Sequence, residues 1–268
     1  SKSKQCYVVV SEVAKNNTGK KKNVVASILA GLAMLTSGGV SNVVAVAPIP
    51  PVDRASQGLA YGTAKNGTTN GVAIASSSYI DSDQSIAIGY RSYGSGTAVG
   101  GIIQPSIAIG AGAHAQANNT VAIGTVAENR GSYGVALGNK SNVKSGADYG
   151  IAVGYGSSVS TQQGIAIGTN TNSTASLAMA IGNGANASGE NAISIGRTTS
   201  ASGGDTVSIG TSSQATGSDS LALGKNAQAS NSDTIAIGQD SLANSLNGVA
   251  LGKTSKATGA SATALGPQ

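Results

Sequence analysis

The residue types that could carry acid–base or metal chemistry are rare in this sequence and do not cluster. His114 is the only histidine, and Cys6, the only cysteine, stands far from it near the N-terminus. A lone imidazole has no second histidine and no nearby cysteine with which to share a metal ion, and nothing completes a Ser-His-Asp set around it. We therefore predict no catalytic residue, no metal site and no cofactor, and we do not expect an enzyme.

Two other patterns only imitate binding sites. Asp205, Asp219 and Asp233 recur at one position of a repeat, which would suit a row of cations, but a single carboxylate per repeat without a second row of ligands favours solvated turn residues. The chain has 39 glycines, yet no G-x-x-x-x-G-K-[ST] phosphate loop occurs among them. The glycines must therefore have a structural explanation.

A repeated pentapeptide organises the chain from about residue 58. It reads SIAIG at residues 85–89 and 106–110, TVAIG at 120–124, GIAIG at 164–168 and TIAIG at 234–238. Degenerate copies at residues 58–62, 71–75 and 96–100 raise the count to about sixteen repeats, with a shortened repeat near Gly100. The period is 14 residues, apart from one step of 16. Each pentapeptide ends in a closing glycine, which we assign to a turn. These glycines are Gly110, Gly124, Gly138, Gly154, Gly168, Gly182, Gly196, Gly210, Gly224, Gly238 and Gly252.

One repeat predicts two short strands. Counted from the closing glycine, positions −3 and −1 are aliphatic and −2 is Ala or Ser, an alternation typical of a strand. The glycine then allows a turn with positive φ. Positions +3 and +5 are small and +4 is variable and polar, which indicates a second strand with its small side inward. Two strands of about five residues and two turns of about two make a coil, and stacked coils make an all-β parallel β-solenoid.

The alternation leads us to place the large aliphatic residues inside the coil. Burying two of them stabilises a coil by about 3–6 kcal/mol, while ordering its backbone costs about 14–28 kcal/mol, so we expect chains to assemble. The small row at −2 would form the trimer face, at Ala166, Ala222 and Ala236, and the polar +4 row would face ligand, at His114, Asn142, Asn186, Gln214 and Gln228. The predicted core residues are Ile107, Ile109, Val121, Ile123, Ile165, Ile167, Ile193, Ile195, Ile235 and Ile237.

The net charge of +5 belongs to the N-terminal segment. Residues 1–47 contain six lysines and one glutamate, and the rest of the chain has ten basic and ten acidic residues, so nucleic-acid binding is not expected. This basic segment precedes an apolar stretch at residues 24–35 and the sequence Ala45-Val46-Ala47, which together are typical of a secretory signal. We assign residues 1–47 to a partial signal peptide, 48–57 to a linker and 58–268 to the repeats, and Cys6 would be removed with the signal.

The motif [STG]-[VIL]-A-[IL]-G, followed by x-x-[AS]-x-[AST] at period 14, resembles the head domain of YadA-type trimeric autotransporter adhesins. The run QCYVVVSEVAKNNTGKKKN at residues 5–23 also resembles part of their extended signal peptide. The resemblance implies a left-handed β-roll that trimerises side by side, exported to the cell surface of a Gram-negative bacterium. It also implies a neck, a stalk and a membrane-anchoring barrel, which we do not find here, so we expect a head-only fragment or a truncated gene product.

Three functions remain open from the sequence. The first is an adhesin head that binds extracellular-matrix protein (collagen, fibronectin or laminin), the host cell surface, or its own copies in autoagglutination. The second is a carbohydrate-binding solenoid. The third is a structural spacer or fibre that projects another binding element.

Overall fold

The computed structural model describes residues 59–61, 65–66, 71–96 and 104–266. The predicted signal peptide at residues 1–47 and the linker at residues 48–57 lie outside these ranges. Within them the chain forms strands and turns, and none of these residues belongs to a helix long and apolar enough to cross a membrane.

A first parallel sheet is built from the pentapeptides. Each contributes a three-residue strand that ends just before the closing glycine, and in the described ranges the sheet has 15 strands. Strands are numbered in chain order and alternate between two sheets; those of the first sheet are β1 (Leu59–Tyr61), β3 (Val72–Ile74), β5 (Ile86–Ile88), β7 (Ile107–Ile109), β9 (Val121–Ile123), β11 (Val135–Leu137), β13 (Ile151–Val153), β15 (Ile165–Ile167), β17 (Met179–Ile181), β19 (Ile193–Ile195), β21 (Val207–Ile209), β23 (Leu221–Leu223), β25 (Ile235–Ile237), β27 (Val249–Leu251) and β29 (Thr263–Leu265).

A second parallel sheet is built from positions +4 and +5, except that its first strand lies one position earlier. It has 14 two-residue strands in the described ranges, so each coil contributes one strand to each sheet, and this confirms the predicted all-β parallel β-solenoid. Its strands are β2 (Lys65–Asn66), β4 (Tyr79–Ile80), β6 (Tyr93–Gly94), β8 (His114–Ala115), β10 (Glu128–Asn129), β12 (Asn142–Val143), β14 (Ser158–Val159), β16 (Asn172–Ser173), β18 (Asn186–Ala187), β20 (Ser200–Ala201), β22 (Gln214–Ala215), β24 (Gln228–Ala229), β26 (Leu242–Ala243) and β28 (Lys256–Ala257).

The strands are shorter than the five residues predicted, because the corners of each coil take more of the chain. From Gly124 to Gly252, the residues two after and five before each closing glycine have left-handed backbone conformations, with φ of 52° at Asn170 and 55° at Asp205. Asn and Asp tolerate this conformation better than most residues. Asp205, Asp219 and Asp233 all lie at such corners, with φ of 55–56°.

Glycine at the closing position is required by conformation and by space. Gly168 has φ of +134°, and a Cβ built on it would lie 2.2 Å from the carbonyl oxygen of Gly182 in the next coil. The same close approach recurs from Gly89 to Gly238, with distances of 2.2–2.6 Å to the next glycine oxygen. A row of glycines along the axis therefore lets consecutive coils stack directly.

Two coils are longer than the others. Strand β5 pairs directly with β7, with Ile86 beside Ile107, and the adjoining Ser85 and Ser106 are 21 residues apart. The step between these two strands is therefore lengthened, and the predicted shortened repeat near Gly100 was wrong. Residues 97–100 of that degenerate copy lie outside the described ranges. Between β11 and β13 the step is 16 residues, as from Ser132 to Asp148, whose Oδ1 accepts a hydrogen bond from the Ser132 backbone amide at 2.8 Å.

The interior between the two sheets contains small side chains. Alanines at −2, +3 and +5, such as Ala166, Ala185 and Ala187, are 0% exposed. Where Ser replaces Ala at −2 its hydroxyl is paired inside the coil, and Ser194 Oγ donates to Thr199 Oγ1 at 2.8 Å. Serines at +3 close the corner: Ser241 Oγ donates to the Gly238 carbonyl at 2.9 Å. The core is thus a thin layer of mainly Ala, Ser and Thr, and its largest fully buried side chains are Ile80, Val143, Val159 and Asn129.

The predicted assignment of the two faces of the first sheet was therefore inverted. Ala166, Ala222 and Ala236 are fully buried inside their own chain and cannot form an interface with another. A coil this thin has no room for two large aliphatic residues, so −3 and −1 point outward. The ten residues predicted as core lie on the outer side of the sheet, where Ile167 is exposed and the other nine are half-buried: Ile107, Ile109, Val121, Ile123, Ile165, Ile193, Ile195, Ile235 and Ile237.

Candidate functional site: two outer faces of the solenoid

The outer side of the first sheet carries two parallel rows of aliphatic side chains, at positions −3 and −1, which we call the aliphatic face. In-register pairing aligns the rows, with Ile165 beside Met179 and Ile167 beside Ile181. From β3 to β27 every residue of both rows is Ile, Val, Leu or Met. Several remain open to solvent in the single chain, including Leu137 at 43% and Leu223 at 39%.

Such a face is unusual for a chain that stays alone. Soluble monomers rarely expose a contiguous apolar surface of this extent, and larger patches mark sites of interaction. The pairing of strands along the axis makes the two rows of the aliphatic face continuous, with no charged side chain in either row from β3 to β29. It is therefore suited to packing against an equally regular apolar surface.

The outer side of the second sheet is mainly polar, and we call its rows at +2 and +4 the polar face. The structure places all five predicted ligand-facing residues there, in one row along the axis and on separate coils. His114, Asn142 and Asn186 are half-buried, and Gln214 and Gln228 are exposed. Gln214 pairs in register with Gln228, so these two alone of the five are neighbours.

A shallow depression of about 390 Å³ lies on the polar face around this pair. Gln214 and Gln228 form its floor together with Ser212, Asn226, Asp240, Ser241, Leu242 and Lys256. The lining offers amide and hydroxyl groups, one carboxylate, one ammonium group and one apolar side chain. Within the described ranges, no group of three or more His, Cys, Asp and Glu residues is placed to hold a metal ion.

Asp240 is the one carboxylate in the lining of the depression, and its surroundings favour the ionised form. Asn226 Nδ2 donates to Asp240 Oδ1 at 2.8 Å, and Gln239 Nε2 donates to Oδ2 at 3.0 Å. The hydrogen bond from Asn226 lowers the pKa of Asp240 below its ordinary value, with further lowering from Gln239 and from the charges of Lys225 and Lys253. The carboxylate therefore stays an acceptor at neutral pH.

Tyrosines form short stacks that we did not predict from the sequence. Tyr79 and Tyr93, both at +4, have ring centroids 5.5 Å apart and nearly parallel planes, and His114 meets Tyr93 edge-on at 6.2 Å. A second stack joins Tyr133 and Tyr149, both at −5. The signal was present, because residues at one repeat position in consecutive coils must become neighbours once the strands pair in register.

Comparison with known families agrees with this architecture. The family model described as a YadA head domain repeat (2 copies) matches residues 104–127, 130–157, 145–171, 173–199, 201–227, 215–241, 229–255 and 243–268. The chain belongs to the YadA head family. The matched YadA head repeats extend through strands β7 to β29, and they support the head domain of a YadA-like trimeric autotransporter adhesin. No curated protein matches the chain.

Proposed function

We propose that this chain is the head of a bacterial surface adhesin that assembles as a homotrimer through its aliphatic face and binds its target with its polar face. The observation that carries the proposal is the division of the coils between two outer surfaces, an apolar one at −3 and −1 and a mainly polar one at +2 and +4. Membership of the YadA head family supports an adhesin-type function in general.

Packing of aliphatic faces supplies the burial that a single chain lacks. Its own interior holds mainly Ala, Ser and Thr, which release little apolar surface from water. Each partly exposed Ile or Leu that a neighbour covers stabilises the assembly at about 25 cal/mol per Å² of apolar surface. Three chains in register would cover both rows along the axis, and the polar faces would remain outside.

The polar face then presents each target contact three times. Multivalent presentation raises the apparent affinity without any new contact, provided that the target can engage several copies at once. Extracellular-matrix proteins such as collagen, fibronectin or laminin, and the host cell surface, offer such repeated targets, and neighbouring heads would do so in autoagglutination. This use requires export to the surface of a Gram-negative cell, which the basic and apolar segment at residues 1–47 also favours.

The experiment that tests this proposal is solid-phase binding of the chain to immobilised collagens, fibronectin and laminin. The double variant Gln214→Ala/Gln228→Ala removes two side chains of the depression, and Asn186→Ala, also at +4 but outside it, is the matched control. We expect the double variant to bind less than the control. Absence of binding to every matrix protein and to host cells would favour the spacer function instead.

The lining of the depression favours carbohydrate as a second candidate target. The amide groups of Gln214, Asn226 and Gln228 can hydrogen-bond sugar hydroxyls. Ser212 adds a hydroxyl group to the lining, and Leu242 adds an apolar side chain. The same assay separates the two candidates when the immobilised proteins are enzymatically deglycosylated. Loss of binding after deglycosylation would assign recognition to the glycan, and unchanged binding would assign it to the polypeptide.

A further inference from the structure

The stack of Tyr133 and Tyr149 is the closest contact between aromatic side chains among the described residues. The ring centroids lie 5.1 Å apart and the planes differ by 7°. Both side chains are open to solvent, at 49% and 56% exposure. The rings therefore face each other while an external reagent can still reach both of them.

The backbone fixes this contact. Both residues occupy the −5 corner of their coils, with left-handed φ values of 59° and 61°. The Tyr133 amide donates to the Asn118 carbonyl and the Tyr149 amide donates to the Ser132 carbonyl, each at 2.8 Å, which ties each corner to the coil before it. The two rings are thus held together by the register of the solenoid.

We propose that Tyr133 and Tyr149 form a site of oxidative modification, at which a peroxidase-class oxidant using hydrogen peroxide joins the two rings as dityrosine. Each phenol loses one electron and one proton, and the two radicals couple by forming a bond between one Cε atom of each ring. The hydrogen on each coupled carbon then moves to that ring's oxygen and restores both aromatic rings. Hydrogen peroxide takes up the two electrons and two protons and becomes two molecules of water.

The stacked geometry suits the coupling step. The unpaired electron of a phenoxyl radical occupies the π system, so the new bond begins to form perpendicular to the ring planes. Because the two rings already face each other at 5.1 Å, these orbitals can meet with little rearrangement of the side chains. A pair of tyrosines in edge-on contact or on a flexible segment would lack this arrangement.

Tyr79, Tyr93 and Tyr155 are less suited to this coupling. Tyr79 and Tyr93 also stack, but their centroids are 5.5 Å apart; Tyr93 is half-buried, and its hydroxyl donates to Asp81. Burial, with the Asp81 hydrogen bond, raises the pKa of Tyr93, which disfavours its deprotonation. Tyr155 lies beneath the ammonium group of Lys140 at 5.8 Å and stacks on no other tyrosine in the described part of the chain.

The cross-link would join two coils across the 16-residue step, one of the two places in the described ranges where the regular 14-residue spacing is lengthened. Cys6 is the only cysteine in the sequence, so no disulfide can form within the chain. A carbon–carbon bond between the tyrosines is therefore a covalent cross-link that this chain can form although it cannot form a disulfide. It does not depend on what the polar face binds.

The experiment is oxidation of the folded chain with a plant peroxidase and hydrogen peroxide, at low protein concentration, followed by peptide mass mapping and dityrosine fluorescence. We expect a cross-linked peptide containing Tyr133 and Tyr149, lighter by two hydrogen atoms, as the main product within one chain. Tyr133→Phe and Tyr149→Phe should each lose this peptide. Tyr155→Phe removes an equally exposed but unstacked tyrosine and should keep it.

A second experiment tests whether the coupling depends on the stacked geometry or only on the reactivity of exposed tyrosines. When the chain is unfolded in denaturant before oxidation, the preference for Tyr133 and Tyr149 should disappear and couplings should spread over other tyrosines. The proposal is overturned if the folded chain forms no dityrosine, if Tyr79 and Tyr93 couple more readily than Tyr133 and Tyr149, or if unfolding leaves the distribution of cross-links unchanged.

Discussion

Ala166 pairs in register with Ala180 of the next coil, and both side chains are fully buried between the two sheets. This row of alanines, continued by Ala152 and Ser194 on either side, sets how closely the sheets approach. Because the row admits nothing large, the aliphatic residues on either side of each alanine must point outward. The thin interior and the aliphatic face are thus two consequences of one alternation.

Enlarging this row should destabilise the solenoid. Ala166→Leu adds three carbon atoms where the side chain is 0% exposed, and overpacking of this kind costs about 1–3 kcal/mol or more. Asn172→Leu is the control, since Asn172 is exposed in the same coil. Leu242 already occupies the equivalent position five strands further along the second sheet. Urea unfolding followed by circular dichroism measures both, and equal midpoints would contradict the assignment of the interior.

The glycine row should be equally intolerant of a methyl group. Gly168→Ala places a Cβ 2.2 Å from the Gly182 carbonyl oxygen at a φ of +134°, a conformation that costs of order 1–3 kcal/mol even without the clash. We expect a fall of at least that size in the free energy of unfolding. Gly204→Ala is the matched control because a Cβ there meets nothing within 4 Å; a similar loss in both variants would count against direct stacking of the coils.

The depression on the polar face should show a measurable electrostatic signature. The hydrogen bond from Asn226 is the largest cause of the lowered pKa of Asp240, so Asn226→Ala should raise that pKa toward its ordinary value. A depressed carboxyl pKa contributes stability that is present above the unfolded pKa and lost as pH falls through the folded pKa. NMR titration of the Asp240 carboxyl carbon measures the change, and an identical titration curve in the variant would contradict the assigned hydrogen bond.

Repeat spacing was enough to predict the class of fold, the parallel register and the residues that share a row. It could not tell which side of the first sheet was inside, because alternation at −3, −2 and −1 defines two faces and leaves their direction open. The small residues at +3 and +5 indicate which face is inside. They line the interior from the second sheet, and the narrow space that they leave has little room for Ile and Val from the first sheet. The general expectation that large aliphatic residues fill a core therefore led to the wrong assignment of the two faces in so thin a coil.

The candidate site was predictable only in part. Polar residues at +4 were correctly placed outside, but the depression depends on which of them are adjacent, as Gln214 and Gln228 are. The copy at residues 96–100 resembles the repeat in sequence, yet β5 pairs directly with β7. Sequence similarity alone did not predict this pairing. The tyrosine stacks follow from register, which makes equal repeat positions into neighbours.

The most direct test of the account is the mass of the assembly in solution. Sedimentation equilibrium of the wild-type chain should give three times the chain mass. The triple variant Ile165→Asp/Ile195→Asp/Ile237→Asp should sediment as a single chain. Its far-UV spectrum should be unchanged, because these side chains lie on the outer side of the first sheet. A matched variant on the polar face, Asn172→Asp/Gln214→Asp/Gln228→Asp, should keep the trimer mass. A wild-type chain that sediments as a monomer, or a trimer that survives the three aspartates on the aliphatic face, would contradict the claim that this face joins the chains.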